Sequence, residues 1–118
     1  MRRCQRRRAR PQGGAALLAA ALLLGAAAAP AAAGEVDMEA GRALFLNVTP
    51  ACAICHTLAD AQAGGAIGPV LDEIKPDAPR VAQALRNGIG QMPAYSSLSE
   101  EEIALLSAYV AKASGGAP

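Results

Sequence analysis

The 118-residue chain has no tryptophan, one phenylalanine and two tyrosines. Much of its 53% apolar content is alanine, which buries little area at roughly 25 cal/mol per Å². A core made of side chains alone would therefore be thin. One histidine and three cysteines are also a poor supply for a structural zinc site, which collects four ligands. No acidic residue occurs in the first 34 positions, and no apolar run reaches the roughly 20 residues that a membrane-spanning helix requires.

The missing acids mark out the N-terminus. Arg2, Arg3, Arg6, Arg7, Arg8 and Arg10 precede an apolar run from Ala15 to Ala29, and Ala31, Ala32 and Ala33 follow Pro30 in an A-x-A pattern. A basic start, a short apolar middle and a small-residue end are the layout of a secretory signal peptide. A membrane anchor is the alternative, but the run is short and alanine is only weakly apolar. The strongly apolar positions that follow a twin-arginine pair are missing too, which favours general export. The expectation is a leader over 1–33 cleaved near Ala33, an exported periplasmic domain over 34–118, and no membrane span after cleavage.

Removing the leader changes the charge. Six of the eleven basic residues lie in the first ten positions, leaving five against all ten acids, a net charge of −5. An acidic domain is unsuited to nucleic acid, which is bound through basic patches that displace counterions. It suits a protein partner with a basic docking face. Cys4 also leaves with the leader, so the exported domain of about 85 residues keeps only Cys52 and Cys55. At that size a hydrophobic core alone is barely sufficient, and a bulky apolar cofactor would fill its centre.

Those two cysteines sit in "CAICH", directly ahead of the sole histidine, His56. Zinc would need a fourth ligand that the domain does not offer. A thiol-disulfide oxidoreductase places C-x-x-C at a helix N-terminus after a strand, and no strand-forming run precedes Cys52; Ala43 to Ala51 reads as a helix end and a turn. The remaining reading is covalent haem attachment, of which C-x-x-C-H is the signature. Positions i and i+3 share one face of a helical turn, so Cys52 and Cys55 can each add to one vinyl group of a single haem c. His56 then reaches the iron from one side.

A second axial ligand and a partner for the histidine are expected downstream. Gly65 to Leu71 reads as a loop containing Gly68 and Pro69. A metal-bound histidine generally donates its other N–H to a carbonyl or carboxylate, and the free carbonyl of Pro69 is the candidate acceptor. Asp77 to Gly88 has a helix start in Asp77 and Pro79, a Val81/Leu85 apolar pair and a stop at Gly88. It leads into "GIGQMPAY". Met1 falls in the leader and Met38 in the first helix, whereas Met92 stands between Gly90 and Pro93 on a loop, where packing explains it poorly. Met92 is the candidate sixth ligand, in the His/Met pairing that raises a haem's potential.

The last helix has Ser99 and Glu102 as a capping box, Glu100 and Glu101 at its positive end, and Gly115 and Gly116 beyond Lys112. Ile103, Leu106, Tyr109 and Val110 give its apolar stripe. A shorter helix, Asp37 to Phe45, carries Gly41 and Phe45 on one face. Close approach at Gly41, with Phe45 beside Tyr109, is the expected contact between the two.

With these residues in place, the chain from about Asp37 to Ala113 resembles the class I c-type cytochromes. The resemblance implies an all-α fold wrapped around one covalently attached haem, with His56 and Met92 as metal ligands and the first and last helices crossing at nearly a right angle. The chain departs from mitochondrial relatives in being short and acidic and in lacking their docking lysines. More narrowly, "PACAICHTL" and the stretch from Gly65 to Ala104 are similar to the small haem-bearing subunit of bacterial sulfite dehydrogenases. That similarity implies a molybdenum-containing dehydrogenase subunit as donor and a downstream cytochrome or oxidase as acceptor.

With both axial positions filled, the iron has no open place for a substrate. The expected role is electron carriage without a catalysed reaction. A haem-based ligand-binding or sensor protein, with Met92 displaced from the iron, is the alternative from another class. A dithiol redox enzyme, with Cys52 and Cys55 free, is a third.

Overall fold

The computed structural model describes residues 34–118; the leader read over 1–33, with its cleavage near Ala33, lies outside the described residues. Three longer helices form the frame: α1 Met38–Asn47, and later α4 Ala78–Asn87 and α5 Glu100–Ser114. Between α1 and α4 the chain makes two single-turn helices, α2 Cys52–Cys55 and α3 Leu71–Ile74, and a minimal hairpin of β1 Thr57–Leu58 and β2 Ala63–Gly64. About half of the described residues are helical. None of the described helices is long and apolar enough to cross a membrane.

Each long helix begins on a side-chain cap. Asp37 accepts the Ala40 N–H at 2.9 Å and Asp77 accepts the Arg80 N–H at 2.8 Å, satisfying donors that the first helical turn leaves free. Ser99 and Glu102 form the reciprocal capping box, at 3.2 and 2.8 Å. α5 ends with Gly115 in the left-handed conformation at φ 81°. The Gly116 N–H reaches back to the Ala111 carbonyl and that of Gly115 to Lys112, a Schellman closure.

α1 packs on α5 through a glycine. A Cβ built on Gly41 would collide with Cβ of Tyr109 and lie 2.7 Å from its Cγ, so only glycine permits this approach. Phe45 meets the Tyr109 ring edge to face, with centroids 6.2 Å apart at 61°, a favourable geometry for two ring quadrupoles. The Tyr109 hydroxyl donates to Asp60 at 2.7 Å, and Arg42 donates to the same oxygen at 2.8 and 3.1 Å. Those donors hold the Asp60 carboxyl below its usual pKa, Tyr109 contributing most. The hairpin turn is thereby fastened to the helix crossing.

Two small elements differ from the expected layout. The hairpin pairs Thr57 with Gly64 and Leu58 with Ala63, too short to carry an alternating pattern. The stretch read as a loop through Leu71 turns helical at that residue. α3 stops at Lys75, which adopts φ 44° just before Pro76, and four residues give no helical periodicity to detect. Both leave the described residues mainly helical in architecture, as the family resemblance implies.

Candidate functional site

The backbone of "CAICH" is one helical turn closed by the His56 N–H on the Cys52 carbonyl at 2.9 Å. His56 itself is extended, at φ −109° and ψ 140°. The turn sets Cys52 and Cys55 on one face, and the extended residue sends the imidazole off its end. The following loop is then fastened onto this turn. Ile67 and Gly68 both donate to the Cys55 carbonyl, at 3.1 and 2.8 Å, and Gly65 donates to His56 at 3.3 Å.

Two glycines make that contact possible. A Cβ on Gly65 would lie 2.5 Å from the Cys55 carbonyl carbon and 2.6 Å from the His56 nitrogen. One on Gly68 would lie 2.6 Å from Cε1 of the imidazole and 2.8 Å from its Nδ1. The ring therefore rests against bare backbone. His56 Nδ1 is 2.9 Å from the carbonyl oxygen of Pro69, and since a carbonyl only accepts, Nδ1 carries the proton. Nε2 has no hydrogen-bond partner among the described residues.

Cys52, Cys55, His56, Pro69 and Met92 all line one cavity of about 760 Å³. Phe45, Leu85, Tyr95, Leu106 and Val110 contribute its apolar interior, while Ile67, Ile74 and Ile89, each about half exposed or more, also line it. Among the described residues no carboxylate lines it, and Arg80 is its one permanently charged side chain. The acids that make the domain negative lie elsewhere. Met92 stands on a loop closed on itself, with Ile89 and Met92 exchanging N–H···O bonds of 3.0 and 2.9 Å. Gly88 at φ 69° and Gly90 at φ 57° supply the left-handed turns this loop needs.

The site's chemistry favours a large covalently held group over the alternatives. Both cysteines are free thiols. Burial pushes the Cys52 thiol up to about 11, the reverse of the lowered pKa that a thiol-disulfide enzyme needs in its nucleophile. Among the described residues no three His, Cys, Asp or Glu side chains cluster as a metal site. Two thiols and an imidazole on the wall of an apolar cavity of this size fit haem c: thiols to bind its edge, Nε2 to meet its iron and apolar side chains to cover its faces.

Sequence reasoning assembled the thiols, the imidazole, Pro69 and Met92 but passed over three contributors. Gly65 and Gly68 are read there only as loop-formers, because their role depends on how the loop folds back onto Cys55 and His56. Tyr95 counted only as an aromatic. It is buried, its N–H donates to the Leu85 carbonyl at 2.8 Å and its hydroxyl to the Pro50 carbonyl at 2.8 Å. Burial, more than the neighbouring Cys52, pushes its phenol up to about 12, so it stays a donor at neutral pH.

Residues 36–110 match the family model described as cytochrome C oxidase, cbb3-type, subunit III. The crystal structure of the c-type cytochrome SorU from Sinorhizobium meliloti is similar, with 53% identity and a TM-score of 0.64 over 68% of this chain and 93% of that one. Comparison with curated proteins gives no match. The family match spans most of the described domain and the cavity's donor set agrees with it: the chain belongs to the c-type cytochromes and is a haem c electron-transfer protein, a carrier of electrons and not a catalytic enzyme.

Proposed function

We propose that this protein is a periplasmic monohaem carrier with His56 and Met92 as axial ligands, exported by cleavage of its leader near Ala33. Haem c, when bound, supplies a one-electron ferrous–ferric couple. Cys52 and Cys55 would hold it covalently, which prevents its loss in an open extracytoplasmic space. The observation that carries the reading is the His56 Nδ1–H···O bond to Pro69. It fixes the ring's tautomer and orientation and leaves Nε2 to bind. Met92, on a loop closed at its base, brings a soft thioether to the same cavity. Occupation of both axial positions would exclude substrate and keep the geometry nearly constant between redox states.

Gly68→Ala tests the imidazole's role. The added methyl falls on the ring and should break the bond to Pro69. An imidazole without its acceptor donates less to ferric iron, so the reduction potential measured by voltammetry should rise. An unchanged potential would remove His56 or its Pro69 bond from the account.

The similarity to sulfite dehydrogenase subunits supports a molybdenum-containing dehydrogenase as electron donor and a cytochrome or oxidase as acceptor. Such a dehydrogenase, supplied with sulfite, should reduce the ferric protein rapidly in stopped flow. With a domain charge of −5, encounter with a basic partner face should slow as salt shortens the Debye length to about 8 Å near 0.15 M. A rate that is flat or rises with salt would show docking through the acid-free rim of Ile67, Ile89 and Arg80 instead. No reduction by sulfite would rule out that donor.

A further inference from the structure

We propose that Tyr95 is a positioning residue for Met92, a strut whose hydroxyl sets how firmly the Met92 loop is held against the segment carrying Cys52 and His56. The inference rests on Met92 being an iron ligand.

Three segments meet at this one residue. Tyr95 follows Met92 by three residues, on the strand of chain that leaves the loop. Its backbone N–H is bound by the Leu85 carbonyl at 2.8 Å, at the end of α4. Its carbonyl accepts the Leu98 N–H at 3.1 Å ahead of α5. Its hydroxyl crosses to the Pro50 carbonyl at 2.8 Å, forty-five positions earlier and two residues before Cys52. The ring is only 6% exposed and lines the cavity beside Cys52 and Met92.

Nothing else in the hydrogen-bond pattern of the described residues joins the Met92 loop to the haem-attachment turn. The Ile89–Met92 pair closes the loop upon itself, and the Leu85 bond ties it to α4. The phenol–carbonyl bond is therefore the direct polar link between the two walls. A movement that carries Tyr95 outward with Met92 while the attachment turn stays fixed stretches this link. It thus favours the Met92-bound state over the open state. By linkage, an external ligand that competes with Met92 binds with an affinity reduced by the small fraction of open protein.

The test is Tyr95→Phe in haem-loaded protein, which keeps the ring and removes one oxygen. Ferric wild type and variant are titrated with imidazole, followed by loss of the near-infrared sulfur-to-iron band. Loss of one net hydrogen bond from the closed state should tighten imidazole binding by about 3- to 10-fold. The band itself should remain at neutral pH. Tyr109→Phe, which removes the phenol bond to Asp60 at the far helix crossing, is the control: its melting temperature should fall while its imidazole affinity stays at the wild-type value.

The outcomes separate the two proposals. Wild type without the band would overturn Met92 ligation itself. A normal band in both proteins with equal imidazole affinity would overturn the role of Tyr95 and leave the ligation intact. Equal tightening in Tyr95→Phe and Tyr109→Phe would also overturn it, because the effect would then be general loosening of the fold.

Discussion

Replacing Cys52 and Cys55 together by alanine is expected to give a polypeptide that carries no covalent haem and does not fold. The first part follows from the chemistry, since residues 34–118 contain no other thiol. The second follows from the core. The cavity of about 760 Å³ is walled by Phe45, Leu85, Tyr95, Leu106 and Val110, apolar side chains that a haem would cover. Without the haem to cover them, these apolar side chains would face water, at a cost of roughly 25 cal/mol per Å² of apolar surface. Whole domains are stable by only about 5–15 kcal/mol. Haem-specific staining of a denaturing gel and far-ultraviolet circular dichroism read the two effects. A folded, stable double variant would mean that the side chains collapse to fill the space and that the cofactor is not structural.

Met92→Ala carries the second large effect. Removing the thioether leaves water or hydroxide as the competing ligand. The soft sulfur favours ferrous iron over those hard oxygens, so the potential should fall by on the order of 100 mV, within the roughly 0.8 V that axial ligation spans. The near-infrared band should vanish, and the ferrous variant should bind carbon monoxide readily where wild type does so poorly. Met38→Ala is the internal control. Met38 lies in the first turn of α1, packed against the core and away from the cavity lining, so its removal should leave all three properties nearly unchanged. A Met92→Ala protein with wild-type potential and band would transfer the ligand role to another side chain.

Much of this fold was legible because its signals are local. Asp77 and the Ser99/Glu102 pair announce helix starts within three residues of the groups they cap. Gly41, Phe45 and Tyr109 stood out because a glycine in a helix and scarce aromatics need reasons, and the crossing of α1 on α5 supplies them. The proximity of the Pro69 carbonyl to His56 follows from general histidine chemistry combined with a Gly-Pro loop just downstream.

What escaped has no local signature. α3 and the two-residue strands are too short for any period to emerge. The bond from Tyr95 to Pro50 joins residues 45 positions apart, and neither side chain type announces the other. The roles of Gly65 and Gly68 depend on how the loop folds back onto Cys55 and His56. The net charge of −5 over residues 34–118 likewise has no spatial content; only the fold shows that no carboxylate lines the cavity.

The central claim is that both axial positions are filled by this chain's own His56 and Met92, which makes the protein a pure carrier. Near-infrared absorption of the ferric wild-type holoprotein, followed by carbon monoxide exposure of the ferrous form at neutral pH, tests it most directly. The predicted result is a weak sulfur-to-iron charge-transfer band and poor binding of the gas. Absence of the band together with rapid carbon monoxide binding would contradict the account and make the protein a ligand-binding haem protein instead.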